Sequence, residues 1–288
     1  MPLSTDALGR VGEPQIREID LRSTLAYAAA IGDANPRYLD DAGPEGVVAP
    51  PAFCVSLEWP PVQAIGRLAG LGVTREEALR GVHAFQDSTF HRPIRPGDRL
   101  RTVATLVELR AIRPGALLVS RLDTADEATG EPVVTSYYGS IYRGVGVEGE
   151  GGRIDAAPAL PDEPPSGPTE KAGMAIAREA PHVYTECARI WNPIHTERGV
   201  ALAAGLPDII LHGTATWALA GREIIDRFAA GDPLRLERLV GRFAAMVIPG
   251  FTIEFEAART RSGAVFSVRN ERGEEALSGG WAVLRGGP

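Results

Sequence analysis

Residues 184–193, YTECARIWNP, and residues 27–36, YAAAIGDANP, decide the fold. Both runs place seven residues between a tyrosine and an Asn-Pro pair, as Tyr27-x7-Asn35-Pro36 and Tyr184-x7-Asn192-Pro193. The apolar, Ala-rich residues between suit a helix, and proline ends it. Outward from each pair, a Gly-containing loop leads to a longer helical pattern. These are PAFCVSLEWPPVQAIGRLAGL (51–71) and GTATWALAGREIIDRFA (213–229). Phe90-x5-Pro96-Gly97 then matches Phe243-x5-Pro249-Gly250. Strand-like runs follow each turn: LRTVATLVEL (100–109) and FTIEFEAART (251–260). Two more close each half, at 116–125 with 133–143 and at 264–271 with 276–285. Their alternating apolar residues predict half-buried antiparallel strands. Thr129-Gly130 and Arg272-Gly273 supply turns between them.

The halves therefore repeat one α+β plan, an antiparallel sheet curled about a buried helix, which is the hotdog shape. Two in tandem predict a double hotdog, with sheet edges protected by joining. The expected domains are residues 1–143, a linker at 144–170, and residues 171–288. The linker expectation rests on the Gly, Pro and acid content of GVGVEGEGGRIDAAPALPDEPPSGPTE. Gly144-x-Gly146-x-x-Gly149 formally matches a dinucleotide fingerprint, but no helix pattern follows it and Glu148 and Glu150 would repel a pyrophosphate.

The 288 residues are 44% hydrophobic and 23% charged, the profile of a folded globular protein. A net charge of −7 argues against a broad nucleic-acid surface. No apolar run approaches the ~18 residues of a membrane span. MPLSTDALGR lacks the apolar core of a signal peptide. Cys54 and Cys187 form no disulfide framework, so a reducing cytoplasm is expected. Cys54 reads as core and Cys187 as a small filler. The five histidines have no metal-ligand spacing, and no metal or redox cofactor is expected. His83, His91 and His182 read as strand or surface residues. Trp217, Leu219, Ile224, Ile225 and Phe228 recur at helical spacing and read as core.

The segment from Tyr184 to Gly213 resembles the MaoC-like, (R)-specific enoyl-CoA hydratase/dehydratase family. That family's signature is Asp-x-Asn-Pro-x-His followed by His-Gly opening the central helix. Asn192-Pro193-Ile194-His195 and His212-Gly213 match it. The first half is similar to the partner dehydratase domain of double-hotdog members, through Asp33-Ala34-Asn35-Pro36 and Phe90-x-Arg92-Pro93-x2-Pro96-Gly97-Asp98. The resemblance implies water addition to an enoyl thioester, or its reversal. It implies His195 as acid/base, Asn192 as the residue holding the turn, and the Gly213 amide as oxyanion donor. His212 is expected as second-rank support or as a thioester contact. Arg92, Arg95, Arg222 and Arg242 are candidate cations for CoA phosphates. The expected partner is an acyl-CoA or acyl-carrier thioester, with a homodimer as an open option.

The chain departs from the signature at Ile190, where the family Asp should stand. In the first half Asp33 is present, but Tyr38 replaces the His. Asp33 and His195 are expected to lie apart. Glu186, four residues before Ile190, is a candidate replacement if 184–190 is helical, and otherwise a surface glutamate. The alternatives kept open are a degenerate, non-catalytic acyl-thioester-binding subunit, and a related lyase, isomerase or cyclase acting on a carrier-bound chain. Trp59-Pro60-Pro61 suggests a bend in the first long helix that widens an acyl cavity.

Overall fold

A computed structural model describes residues 2–65, 71–74, 77 and 80–286. In chain order the helices are α1 (Leu21–Ala30), α2 (Pro36–Leu39), α3 (Val55–Ile65), α4 (Ala180–Ala188), α5 (Arg198–Ala203) and α6 (Gly213–Phe228). The strands are β1 (Leu3–Ser4), β2 (Gln15–Glu18), β3 (Gly81–Phe90), β4 (Arg99–Ile112), β5 (Gly115–Asp126), β6 (Pro132–Arg143) and β7 (Val147–Glu148). They continue as β8 (Gly152–Arg153), β9 (Ser166–Ala175), β10 (Leu236–Phe243), β11 (Thr252–Arg259), β12 (Gly263–Arg269) and β13 (Glu275–Leu284). The first long helical pattern opens as a 3-10 turn, Pro51–Cys54, and continues as α3 with Pro60 and Pro61 inside it. Residues 66–70 of that pattern lie outside the described residues.

The chain forms two compact units that do not follow the sequence halves. One comprises Met1–Glu18, Leu57–His91 and Arg99–Ala159. The other comprises Ile19–Ser56, Arg92–Asp98 and Leu160–Pro288. Segment 19–56, with the first Asn-Pro loop, therefore clusters with the second half of the chain.

In the first unit the strands run β2-β4-β5-β6-β3, all antiparallel. Leu106, Leu109, Leu118, Leu122 and Tyr138 fill its core with Ile65 of α3. Gly115 turns the β4–β5 hairpin at φ +149°, where a Cβ would sit 2.0 Å from the Tyr142 carbonyl. The β3 strand escaped the sequence reading because its inward positions are polar. Gln86 and Ser88 are fully buried. Their cost is offset by the buried Glu58 carboxylate: Gln86 Nε2 donates to it at 2.8 Å and Ser136 Oγ at 2.5 Å.

The stretch 144–170 is more than a connector. Val147–Glu148 pairs parallel with Leu3–Ser4, and Gly152–Arg153 pairs with Glu108 and Leu109 of β4. Residues 166–170 already belong to β9, which pairs with β11. An exposed strand at the end of its sheet tolerates the Gly and Pro of SGPTEKAGMA, so apolar alternation could not reveal it.

In the second unit the strands run β10-β13-β12-β11-β9. Helix α6 packs on this sheet. Trp217 and Ile224 on it are 0% exposed, and Ile225 and Phe228 are buried, as their spacing predicts, whereas Leu219 is only half-buried. Helix α1 packs on α4, and the two tyrosines of the repeat meet there. Tyr27 Oη donates to the Ala52 carbonyl at 2.8 Å and lies 3.1 Å from Tyr184 Oη, which donates to Thr214 Oγ1 at 3.2 Å. Both rings are buried, so losing a hydroxyl strands its partner. Tyr27→Phe and Tyr184→Phe should each cost about 1 kcal/mol in denaturant unfolding. The double variant should cost less than the sum; strict additivity would disprove a shared network.

Candidate active site

The loop that carries His195 is fixed by backbone geometry. Helix α4 stops at Ala188 because Arg189 turns left-handed, with φ 56°. The Ile190 amide folds back onto the Thr185 carbonyl at 3.1 Å. Asn192 then caps a 3-10 turn, Pro193–His195, its Oδ1 accepting from the Ile194 amide at 3.4 Å. Pro193 suits the first position of that turn, where an N–H would go unused. His195 ends the turn at 9% exposure.

The His195 ring is held in one orientation. Its Nδ1 lies 2.8 Å from the Ile210 carbonyl. A carbonyl only accepts, so Nδ1 carries the proton and Nε2 holds a lone pair. Among the described residues Nε2 has no hydrogen-bond partner. The ring stacks on His212, with centroids 3.6 Å apart and planes at 23°. His212 Nε2 lies 3.2 Å from Thr185 Oγ1 and 3.3 Å from the Ile190 carbonyl, and its Nδ1 is buried without a partner. Burial pushes the His195 pKa down to about 4, partly offset by the Ile210 carbonyl. Burial, and then the His195 charge, push His212 well below the ordinary histidine value. Both rings are therefore neutral near pH 7. No carboxylate contributes to the His195 shift.

His212 is also the residue before α6, and its side chain does not cap the helix. The first amides with acceptors are those of Ala215 and Thr216, both bonded to the His212 carbonyl. The Gly213 and Thr214 amides have no acceptor among the described residues. Two unpaired N–H groups thus head a 16-residue helix, where its dipole favours negative charge. Gly213 leaves room for the Phe243 ring: a Cβ there would lie 2.9 Å from Phe243 Cδ1.

Other expected residues fall elsewhere. Glu186 is exposed, and α4 ends before Ile190, so the two do not share a helical face. Thr185, one position earlier, is the residue that faces inward and contacts His212. Ile190 itself is buried, at 5% exposure. Arg92 is tied to Asp98 at 2.8 Å within its own turn. Arg222 donates to the Ile31 carbonyl at 2.8 Å and pairs with Glu223 at 3.0 Å. Both are structural clamps here. Arg242 is exposed and has no ion pair among the described residues, so it stays available to a phosphate.

Asp33 and Tyr38 are not at this site. Asn35 Nδ2 donates to the Gly231 carbonyl at 2.7 Å, and Arg222 holds Ile31, so their loop docks along the later turns of α6. From Gly213 to Arg222 a helix rises about 13 Å. No shared Asp33–His195 pair forms. Sequence reading missed Thr185, the Ile210 carbonyl and the Thr214 amide. Only the repeated tyrosine spacing hinted that α1 and α4 would meet beside them. Among the described residues, no cluster of three or more His, Cys, Asp or Glu could hold a metal ion, and no helix is long and apolar enough to cross a membrane.

Comparison with known proteins gives concordant results. Residues 164–279 match the MaoC like domain, and residues 7–136 match the FAS1-like dehydratase domain region. A Mycobacterium tuberculosis protein named 3-hydroxyacyl-thioester dehydratase Y is 28% identical over 274 residues, covering 92% of this chain and 91% of that protein. A solved MaoC-like dehydratase from Phytophthora capsici superimposes with a TM-score of 0.84 at 22% identity, covering 97% of each chain. A second solved structure, from M. tuberculosis and described as a double hotdog, superimposes with a TM-score of 0.63 at 16% identity over 96% of each chain. With two family matches spanning both halves and a fold shared end to end, the chain belongs to the MaoC-like dehydratase family, in its double-hotdog form.

Proposed function

We propose that this protein hydrates an enoyl-CoA, or dehydrates the corresponding 3-hydroxyacyl-CoA, at His195. The observation that carries this reading is an imidazole with a free Nε2 lone pair close to two unpaired helix amides. His195 and His212 stack, and His212 immediately precedes Gly213 and Thr214. Nε2 takes a proton from water as the water oxygen adds to C3. Charge moves to the thioester oxygen, where the Gly213 and Thr214 N–H groups stabilise it. No carboxylate stands in the Ile190 position. The proton held on Nε2 is then the one returned to C2, and hydration is complete without a second acid. Asn192 positions the turn and Arg242 offers a cation to the CoA phosphates. Dehydration runs the same steps backwards.

Absorbance loss with a panel of trans-2-enoyl-CoAs tests this. His195→Ala should lower kcat by about 100-fold or more, the scale of general acid–base catalysis. Glu186→Gln in parallel should change turnover by less than twofold. A His195→Ala variant as active as the parent would remove the reading.

The pH profile follows from burial. The base is active when unprotonated, so its activity persists as pH falls until the folded pKa of about 4. The acid limb of kcat/KM should lie near pH 4 rather than near 6.5. Stability moves the same way. The unfolded chain binds protons at both histidines from about pH 6.5 downward while the folded chain does not. Their contribution is whole above pH 6.5 and declines as pH falls towards their folded values.

One observation favours a second reading, a non-catalytic acyl-thioester-binding subunit: the buried Ile190 beside the pair of imidazoles. Ile190→Asp separates the two. In an enzyme the new carboxylate should raise kcat and draw the His195 pKa upward, moving the acid limb to higher pH. A binding subunit should remain inactive with every enoyl-CoA before and after the substitution.

A further inference from the structure

The segment joining α4 to the His195 turn carries a row of outward side chains that the proposed chemistry does not use. Arg189, Trp191 and Pro193 are exposed, while Ile190 between them is buried and Asn192 is half-buried. In extended backbone alternate residues share a side, so this pattern puts Arg189, Trp191 and Pro193 on one face. Trp191 is 59% exposed, and an indole is seldom left so open to water. Its backbone is fixed on both sides. The Ile190 amide is bonded to the Thr185 carbonyl at 3.1 Å, and the Ile190 carbonyl lies 3.3 Å from His212 Nε2. On the other side Asn192 caps the turn that ends at His195. A large, flat side chain on an anchored backbone gives up little conformational entropy when a ligand covers it.

Arg189 supplies a cation on the same face. Its guanidinium makes no ion pair or hydrogen bond among the described residues, whereas Arg198 on α5 is paired with Asp208 at 3.2 Å. Asp20 senses the Arg189 charge, but its own Oδ1 is engaged by the Ser23 amide at 2.8 Å. An exposed indole and an unpaired guanidinium thus stand two residues apart, on the chain that leads into the His195 turn.

The row lies within reach of the candidate base. From Trp191 to His195 is four residues, a span of at most ~14 Å. The inference rests on the reading that His195 works on an acyl-thioester. Such a thioester carries, behind its sulfur, a pantetheine arm: two amides, a dimethyl-substituted alcohol, then a phosphate. The amide-bearing, partly apolar arm suits an indole face, and the phosphate beyond it suits a guanidinium. We propose that Trp191 is the platform for the pantetheine arm of the substrate and that Arg189 holds the phosphate at its end. CoA and a carrier protein both present this arm, so the ligand is the 4′-phosphopantetheine group that they share.

Saturated butyryl thioesters cannot be hydrated, so their binding is read whether or not the protein turns over an enoyl-CoA. Ligand-observed NMR titration compares butyryl-N-acetylcysteamine, which ends before the dimethyl alcohol, with butyryl-pantetheine and butyryl-4′-phosphopantetheine. The parent should bind about fivefold more tightly at each lengthening. Trp191→Ala should abolish the pantetheine gain and Trp191→Phe should keep most of it, both melting with the parent because the side chain is exposed. Arg189→Asn, which tolerates the left-handed backbone at φ 56°, should abolish only the phosphate gain. Equal weakening of all three thioesters in Trp191→Ala would mark a merely structural residue and overturn the proposal. So would a pantetheine gain that survives Trp191→Ala, or a phosphate gain that survives Arg189→Asn. Butyryl-CoA and a butyrylated carrier protein are then titrated in turn. The tighter of the two identifies the source of the arm, and a source whose binding is unchanged in Trp191→Ala also overturns the proposal. If the gains appear while His195→Ala leaves turnover unchanged, the catalytic reading falls and the arm site stands.

Discussion

A buried helix that begins with two unpaired amides is the constraint on which the second unit depends. Uncapped N–H groups cost free energy wherever water cannot reach them. Most helices place Ser, Thr, Asp or Asn at this point, whereas α6 places a histidine whose side chain makes no cap hydrogen bond. The ring is held there by Thr185 and the Ile190 carbonyl, and it supports the His195 ring by stacking. The Ile210 carbonyl, two residues earlier, fixes the His195 tautomer. One short segment, 210–214, therefore both orients the His195 ring and heads α6 with two unpaired amides.

The same backbone plan, used twice, carries two different sets of side chains. Asn35 and Asn192 each cap a turn through their own side chain. Six residues on from each tyrosine the repeat offers Asp33 in one copy and Ile190 in the other. The first copy keeps an acid but has prolines where helix amides would be. The second has the amides and an imidazole but no acid. Burial then acts on each copy in opposite senses: it raises the Asp33 pKa and lowers that of His195, in both cases favouring the neutral form.

Much of the fold was legible. The strands at β4, β5, β6, β11, β12 and β13 announce themselves by alternation, and α6 by apolar residues around most of its circumference. The strands that went unread have physical reasons to be silent. β3 buries Gln86 and Ser88 against a carboxylate, and β9 is an exposed strand carrying Gly and Pro. Around the candidate site, the turn at Asn192–His195 and the helix start at Gly213 were readable from the residues, because Asn-Pro stops a helix and Gly can open one; the roles expected of Asn192, His195, His212 and Gly213 came from the family resemblance. Glu186 was misplaced because the left-handed Arg189 ends α4 two residues sooner than the helical spacing assumes.

Sequence alone determined that two similar orders of helices and strands follow one another along the chain, that a proline-stopped turn carries His195, and that a glycine opens a buried helix. These are local properties, set by φ restriction, apolar period and the absence of a side chain. Tertiary structure alone decided that segment 19–56 clusters with the second half of the chain. It also decided that two tyrosines from distant helices touch, and that burial and the Ile210 carbonyl hold the His195 ring with its pKa lowered and its Nε2 unbonded among the described residues. Those outcomes depend on which carbonyl or ring lies across a few ångströms of space, and chain order does not encode that distance.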